Sequence, residues 1–198
     1  MFKLKNDITL ALASSSPRRR ELLKESGFEF KVVPADVDET LLPAESGRAA
    51  AERLALLKAG AVSEKHPQSV VIGADTIVDL NGEIFDKPKD AGEAAVMLKK
   101  LSGRTHTVWT GIALCSAGLN ICETAVSASR VTFMKLSSSA IERYAESGEP
   151  LGKAGGYAIQ GQARNFVKKL DGSLTGVIGL DMPLLIELLD GAGLLQHD

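Results

Sequence analysis

The sequence predicts one α/β domain built on a mixed sheet with helices on its faces. Short apolar runs alternate along the chain with segments whose apolar residues recur at helical spacing, a pattern typical of α/β proteins. The 198 residues suffice for one substantial domain and no repeat or linker divides them, so residues 1–198 form the predicted domain. An apolar fraction of 44% and a charged fraction of 24% argue against coiled coil, collagen and intrinsic disorder.

Net charge and hydropathy limit the kinds of binding partner and the cellular location that we expect. Lysine and arginine total 23 while aspartate and glutamate total 25, so the net charge of −2 offers no electrostatic footprint for a nucleic acid or an anionic membrane. The apolar run at residues 8–13 is too short for a secretory signal, and no run approaches the roughly 20 residues of a membrane span. We therefore expect a cytoplasmic protein without a nucleic-acid or membrane partner.

The start of the chain predicts strands and helices in alternation. Residues 8–13 are continuously apolar, as in a strand buried on both faces. Ser16 is suited to cap the helix that follows, and Gly27 is suited to end it. Residues 28–34 predict a second strand, and residues 46–62 carry apolar side chains at helical spacing.

The middle of the chain contains hairpin signals. The Asn81-Gly82 pair suits a type I′ turn between two strand-like segments. Asp90 with Glu93 resembles a capping box at the start of a helix that Gly103 ends. Two long strand candidates then flank a turn, at residues 106–115 and 121–136.

The pattern becomes less regular towards the end of the chain. Ser139 with Glu142 predicts the start of a short helix that Gly148 ends. Residues 152–179 are Gly-rich and strand-like, and residues 182–189 predict a last helix.

A serine triplet and an arginine triplet form the first candidate site. Residues 14–16 are all serine and end the first strand, and residues 18–20 are all arginine in the first helical turn. Cations at this end of a helix oppose its macrodipole by about 0.3–1 kcal/mol each. A bound anion, held by backbone N–H groups, hydroxyls and guanidinium groups, would resolve the conflict. The alternative is a well-capped helix whose arginines point to solvent.

Asp75 is the second candidate, because it interrupts the apolar strand-like run at residues 70–78. Aspartate is depleted in strands, and a buried carboxylate must be paired, hydrogen-bonded or bound to metal. We interpret Asp75 as a functional group that binds Mg²⁺ or polarises water. The alternative is a strand-end aspartate that caps a turn beside Gly73.

The hairpin register decides whether Lys87 can reach Asp75. With Asn81-Gly82 as a two-residue turn, Lys87 lies opposite Thr76. Strict alternation then places Lys87 and Asp75 on opposite faces of the sheet, so they converge only where the pairing ends or bulges near residue 76. The alternative is an edge lysine that protects the hairpin against aggregation.

The third candidate is the Gly-rich segment at residues 152–161. It contains neither the P-loop pattern nor G-x-G-x-x-G. Its glycines would let a ligand approach the backbone, and the amide of Gln160 could read a base edge because it both donates and accepts. The alternative is a bulged strand with a solvated glutamine.

Other chemistries find little support in the sequence. His66, His106 and His197 are scattered, which argues against a histidine-built zinc site. The G-x-S-x-G motif of α/β-hydrolases does not occur. Cys115 and Cys122 face each other across a predicted turn, and we expect two buried thiols rather than a disulfide.

Four motifs occur together in the chain. They are Ser14-x-Ser16-Pro17-Arg18-Arg19, Gly73-Ala74-Asp75-Thr76, Lys87-Pro88 and Gly156-Tyr157-Ala158-Ile159-Gln160-Gly161. In this order they resemble the Maf family of nucleoside triphosphate pyrophosphatases, from about residue 8 to residue 189. The first two motifs are the specific ones, since an isolated Asp-Thr or Lys-Pro would mean little.

The resemblance implies a deep cleft in a fold similar to inosine triphosphate pyrophosphatases. It implies hydrolysis of a nucleoside triphosphate to the monophosphate and pyrophosphate with a divalent cation, Mg²⁺ or Mn²⁺. The Tyr-Ala-Ile-Gln-Gly form resembles the branch that acts on dTTP and UTP, with modified pyrimidine triphosphates as further substrates in a house-cleaning role. A homodimer and, less directly, a role in septum formation are also implied.

The resemblance also implies roles for individual residues. Asp75 would be the general base and a metal ligand, with Glu39 as a second metal carboxylate. The specificity positions fall on Arg18, Thr76 and Gln160. The triphosphate would be held by cationic and hydroxyl side chains, namely Arg18, Arg19, Lys58, Lys87, Ser14 and Ser16.

Two other functions remain open at this point. A non-catalytic nucleotide-binding regulator of cell division would use the same cleft without turnover. An inosine or xanthosine triphosphate pyrophosphatase would combine the same chemistry with a purine pocket.

Overall fold

Seven strands form one sheet within residues 3–5 and 8–196, which the computed structural model describes. The strands are β1 (Thr9–Leu12), β2 (Phe30–Val32), β3 (Ser69–Leu80), β4 (Glu83–Phe85), β5 (Thr105–Ser116), β6 (Ile121–Phe133) and β7 (Val167–Asp171). The helices are α1 (Pro17–Glu25), α2 (Gly47–Lys65), α3 (Ala91–Leu101), α4 (Ser138–Glu146), α5 (Leu174–Ile178) and α6 (Met182–Gly191). Among these described helices, none is both long enough and apolar enough to cross a membrane. His197 lies outside the described residues.

The sheet is mixed, as predicted. Its strand order is β2-β1-β3-β5-β6-β7, and β4 pairs additionally with β3. β1 is parallel to β2 and β3, whereas every other pair is antiparallel. Leu10 and Leu12 of β1 join one buried cluster and Ala11 and Ala13 join another, which confirms a first strand covered on both faces.

One edge of β3 is left open where the site forms. β5 pairs with one edge of β3 from Val71 to Asp79. On the other edge, β1 pairs only as far as Ile72 and β4 begins to pair only at Val78. Residues 73–77 therefore border a gap between the described strands β1 and β4, and side chains from both faces of β3 can reach it.

Two glycines let α2 lie close against the sheet. An added Cβ would lie 2.2 Å from the carbonyl oxygen of Ala55 at Gly73, and 2.1 Å from that of Ala51 at Gly111. The two glycines belong to the neighbouring strands β3 and β5. Because Gly73 and Asp75 are two residues apart on one strand, this close packing brings α2 over the face that carries Asp75.

The local signals at helix ends are mostly confirmed. The Ser16 hydroxyl accepts from the Arg19 N–H at the start of α1, and Asp90 accepts from the Glu93 N–H at 2.8 Å before α3. The predicted start of α4 at Ser139 is wrong. Ser137 caps that helix by accepting from the backbone N–H of residue 140, so the helix begins earlier.

The strand-like prediction for residues 152–179 is largely wrong. Residues 154–156 and 162–166 form short 3₁₀ turns, and α5 follows, so only β7 is a strand. The physical reason is the backbone at Gly152, Gly155 and Gly156, which all have φ near +70° and cannot continue a strand.

The β5–β6 pairing confirms that Cys115 lies directly opposite Cys122, and both are free thiols. Only Cys115 is buried, so the expectation of two buried thiols holds for one of them and is wrong for the exposed Cys122.

Candidate active site

A cavity of about 470 Å³ opens at the gap beside β3. Its walls come from the β1–α1 loop and first turn of α1, from the middle of β3, and from the segments at residues 151–157 and 177–179. A second cavity of about 690 Å³ adjoins it and shares the walls at Glu39, Asp75, Thr76, Lys87 and Ala154. The two cavities therefore meet at the predicted site residues.

Lys58 joins two carboxylates at this meeting point. Its ammonium nitrogen lies 2.6 Å from Asp75 Oδ1 and 2.6 Å from Glu39 Oε2. Lys58 and Asp75 are 5% and 6% exposed, whereas the Glu39 side chain remains 44% exposed. A buried carboxylate needs such a partner, so the ion pair explains how Asp75 is tolerated inside an apolar strand.

Glu39 responds to several cations of the site. Burial raises the pKa of Glu39, but the hydrogen bond and charge of Lys58, with the charges of Lys87 and Arg19, outweigh burial and leave the pKa below its usual value. The carboxylate is therefore held in its ionised form, ready to bind a cation.

Lys87 and Asp75 line the same cavities, and the hairpin register shows how. The turn at residues 81–82 gives the predicted register, with Val78 opposite Phe85. The pairing ends there, so Lys87 lies beyond β4 and is not forced onto the far face of the sheet. The sequence predicted that Lys87 and Asp75 could converge only if the strand pairing ended or bulged near residue 76, and the pairing does end there.

Arg19 is fixed by three hydrogen bonds at the wall of the cavity. Its Nε donates to the carbonyl oxygen of Gly179 at 2.8 Å, and its two terminal nitrogens donate to Ser14 Oγ and Thr76 Oγ1, each at 3.3 Å. Burial lowers the pKa of Arg19, and the charges of Asp75 and Glu39 oppose that shift. The guanidinium group is therefore preorganised before any anion arrives.

The arginine triplet is divided between the cavity and solvent. Arg18 and Arg19 line the cavity, whereas Arg20 is exposed. Burial, and then the charge of Arg19, lowers the pKa of Arg18. The hydroxyls of Ser14 and Ser16 accept from backbone N–H groups at 3.2 and 3.5 Å, which leaves each hydroxyl hydrogen free to donate to a ligand.

Nine of the ten predicted site residues line these cavities, and Gln160 does not. The nine are Ser14, Ser16, Arg18, Arg19, Glu39, Lys58, Asp75, Thr76 and Lys87. Gln160 is exposed and follows three buried residues, Tyr157 to Ile159, of which Tyr157 reaches the cavity wall.

Three groups of the site received no individual role from the sequence, and two of them lie in the Gly-rich candidate segment at residues 152–161. Lys153 lines the cavity, and its place within the Gly-rich segment was the available signal. The Tyr157 hydroxyl hydrogen-bonds to His106 Nε2 at 2.8 Å, a contact between residues 51 positions apart. Gly179 supplies the carbonyl oxygen that anchors Arg19, and nothing in the sequence pattern pointed to it.

The carboxylates suit a hard divalent cation. Within the described residues no group of three or more His, Cys, Asp and Glu side chains could hold a metal ion alone. Glu39 and Asp75 nevertheless each place an oxygen against one cationic nitrogen. Mg²⁺ commonly binds through one or two carboxylates and completes its shell with water and substrate phosphate, so this pair fits such an ion.

The fold and the site together define an α/β protein with a cavity lined by more cations than carboxylates. Five cationic side chains line the first cavity, against the two carboxylates of Glu39 and Asp75; they are Arg18, Arg19, Lys58, Lys87 and Lys153. Residues 9–192 match the family model described as Maf-like protein, and the chain belongs to this family.

Curated relatives that align over nearly the whole chain agree with this membership. The chain is 50% identical over 185 residues to a dTTP/UTP pyrophosphatase of Myxococcus xanthus, covering 93% of each chain. It is 47% identical over 188 residues to one of Pelotomaculum thermopropionicum, covering 93% of this chain and 96% of that protein. A solved HAM1 protein from Coxiella burnetii aligns with a TM-score of 0.45 and 17% identity, over 64% of this chain and 73% of that one.

Proposed function

We propose that this protein hydrolyses dTTP and UTP, and modified pyrimidine triphosphates of the same shape, to the monophosphate and pyrophosphate. The observation that carries the proposal is the cavity in which Asp75, Lys58 and Glu39 face a set of further cations. The names of the 50% and 47% identical relatives support the substrate class.

The cations of the cavity would bind the triphosphate. A nucleoside triphosphate carries several negative charges, and charge-assisted hydrogen bonds from guanidinium and ammonium groups to phosphate are the strong kind. Arg19 and Lys87 present such groups to the cavity, and the hydroxyls of Ser14 and Ser16 have a hydrogen to donate. Arg18 adds a second guanidinium at the start of α1.

Asp75 and Glu39 would hold a divalent cation, Mg²⁺ or Mn²⁺. When bound, the ion supplies charge neutralisation on the phosphate oxygens. Lys58 lies 2.6 Å from both carboxylates, so it would hold them in place and add its own positive charge beside the phosphates.

Asp75 would act as the general base on the attacking water. The water oxygen forms a bond to one of the two phosphorus atoms that flank the α–β bridging oxygen, and Asp75 takes the water proton. The bond from that phosphorus to the bridging oxygen breaks, and its electron pair leaves on the departing phosphate group. The products are the nucleoside monophosphate and pyrophosphate, with one proton passed on to solvent.

Base selection would rest on Arg18, Thr76 and Gln160. Thr76 lies on β3, where its hydroxyl accepts from Arg19 and shapes the wall of the cavity. The Gln160 amide has the donor and acceptor needed for the N3–H and O4 edge that uracil and thymine share. Gln160 is exposed and lines neither cavity, so in this proposal it would reach the base from outside the cavity walls.

By the same family membership we propose a homodimer in the cytoplasm without a nucleic-acid or membrane partner. Light scattering on the purified chain measures the mass in solution, and a monomer mass at micromolar concentration would contradict the dimer.

Pyrophosphate release from the common NTPs and dNTPs, with Mg²⁺ and with EDTA, tests the proposed function. We expect metal-dependent turnover that is strongest on UTP and dTTP. Turnover confined to inosine or xanthosine triphosphate would keep the chemistry and overturn the base selection. Tight nucleotide binding without any release would favour the non-catalytic regulator instead.

A further inference from the structure

Lys153 is a cation of the cavity that the proposed mechanism does not use. It lies in the segment between α4 and the 3₁₀ turn at residues 154–156, and it lines the cavity together with Arg18. Its ammonium group donates to two backbone carbonyl oxygens of its own segment, those of Glu149 and Leu151 (3.4 Å for the latter). These are neutral partners, and an ammonium group has three hydrogens to donate.

Arg18 and Lys153 come from separate parts of the fold, line the same cavity and repel each other. Burial, and then the charge of Arg18, lowers the pKa of Lys153. The carboxylate of Glu149 offsets part of this repulsion from a distance. Its two oxygens, however, accept from the Tyr144 hydroxyl at 2.9 Å and from the Gln162 N–H at 3.2 Å.

The described contacts therefore place no carboxylate directly on either cation. Two partly buried cations that face one cavity are unfavourable unless an anion joins them there. We therefore expect an anion to bind between Arg18 and Lys153. This contact would add to those that the serine and arginine side chains offer at the start of α1.

The backbone is held in place after Lys153, at Gly155, and borders open space before it, at Gly152. The Gly155 N–H donates to the carbonyl oxygen of Asp86 at 3.2 Å, and a Cβ at Gly155 would lie 2.9 Å from Val78. Gly152 has φ of +70°, and a Cβ there would meet nothing within 4 Å. The backbone that carries Lys153 is therefore held at Gly155 and borders open space at Gly152.

We propose that Lys153 binds the phosphate chain of the nucleotide, leaving the carbonyl oxygens of Glu149 and Leu151 to do so. The proposal rests on the proposed function and extends its phosphate site from the start of α1 to the wall formed by residues 151–153. Lys153 is then a substrate-binding residue of the cavity wall at residues 151–153.

Binding of two probes by calorimetry tests the proposal. The probes are α,β-methylene-UTP, which has the whole nucleotide but an uncleavable bridge, and inorganic tripolyphosphate, which has no base or sugar. At fixed Mg²⁺, we expect Lys153→Met to weaken both probes by about tenfold or more, the loss typical of one charge-assisted hydrogen bond. Lys153→Arg, which keeps the charge, is expected to retain most of the affinity.

Lys168→Met is the matched control, because Lys168 is an exposed lysine of β7 outside both cavities. Its variant is expected to bind both probes like the wild type. Unchanged binding by Lys153→Met would overturn the proposal. So would weakened binding of the nucleotide analogue alone, which would place Lys153 at the base or sugar. An equal loss in Lys153→Arg would show that the shape of the segment matters rather than the charge.

The proposed function is tested separately by turnover of UTP and dTTP in the wild type. A wild type that binds tripolyphosphate but releases no pyrophosphate would contradict the enzyme, while the comparison of variants would still decide the role of Lys153.

Discussion

Lys58 is the shared ion-pair partner of both carboxylates, Glu39 and Asp75. Removing one member of a buried ion pair leaves the other charge uncompensated and costs about 3–5 kcal/mol. Asp75 is nearly as buried as Lys58, but Lys58 keeps a second partner in Glu39. A change at Asp75 is therefore tolerated by the fold better than a change at Lys58, which makes Asp75 the better position for a functional test.

Asp75→Asn is expected to abolish turnover while the protein stays folded. The amide keeps the size of the side chain but cannot accept the proton of water, and loss of a general base typically costs about 10²–10⁴-fold in rate. Steady-state kcat on UTP, with circular dichroism as the check on folding, measures the effect. Wild-type kcat in this variant would show that Asp75 is not the base.

Gln160→Glu is expected to weaken discrimination among the four bases. A carboxylate only accepts hydrogen bonds, so it loses the donor that the amide offers to O4 of uracil or thymine. Because Gln160 is exposed, stability is expected to change by no more than about 0.5 kcal/mol. Relative kcat/KM values for UTP, CTP, ATP and GTP decide the point, and unchanged ratios would remove Gln160 from base selection.

At the scale of elements, the packing of α2 on the sheet holds Lys58 against Asp75. Gly73→Ala would place a methyl group 2.2 Å from the carbonyl oxygen of Ala55 and force α2 outward. We expect a loss of stability of about 1–3 kcal/mol, as for other overpacked sites, together with lower activity because Lys58 moves with the helix.

Gly60→Ala is the matched control for that change, since Gly60 lies in the same helix and a Cβ there meets nothing within 4 Å. It is expected to stabilise the protein by about 0.5–1 kcal/mol through helix propensity. Urea unfolding of both variants gives the comparison. A Gly73→Ala protein as stable as the wild type would show that α2 is not held as closely as described.

Local signals predicted the elements better than they predicted the site. Helix caps and the Asn81-Gly82 register depend on residues a few positions apart, and they were recoverable from the sequence. Residues 154–166 were not, because Gly155 and Gly156 adopt positive φ under contacts from β3 and α3 that the sequence cannot reveal. The exposure of Gln160 follows from the same turns and was hidden for the same reason.

The group formed by Asp75, Glu39 and Lys58 was also only partly predictable from the local sequence. Asp75 was recognisable as a polar residue inside an apolar run, but its partner Lys58 lies 17 positions away on another element. Only the resemblance to a family placed Lys58 at the site, and no spacing rule would have paired it with two carboxylates. Lys153 escaped both kinds of inference.

At the scale of the whole molecule, His106 links stability to pH. It is 2% exposed, and burial lowers its pKa from 6.5 to about 4, so the folded protein holds it neutral. As pH falls from 6.5 towards 4, the unfolded chain takes up a proton that the folded protein does not, and stability is lost in that window. Between pH 7 and pH 5 this amounts to about 2 kcal/mol.

His106→Gln is expected to flatten this dependence, since an amide does not titrate and can still hydrogen-bond to the Tyr157 hydroxyl. Urea unfolding at pH 7, 6 and 5 measures the slope in each protein. Carboxylates titrate mainly below this range, so an equally steep loss in His106→Gln would assign the pH dependence to other groups.

The contact between Arg19 and Gly179 also has a consequence for folding during translation. It joins residues 160 positions apart in the sequence. At the usual pace of translation, roughly 8 to 30 seconds pass between the synthesis of these two residues. During that interval the growing chain already carries its serine and arginine triplets but lacks the carbonyl group that holds Arg19 in place. We therefore expect ribosome-bound and prematurely terminated chains to lack a fixed Arg19, and the cavity wall to be complete only once the last part of the domain has been made.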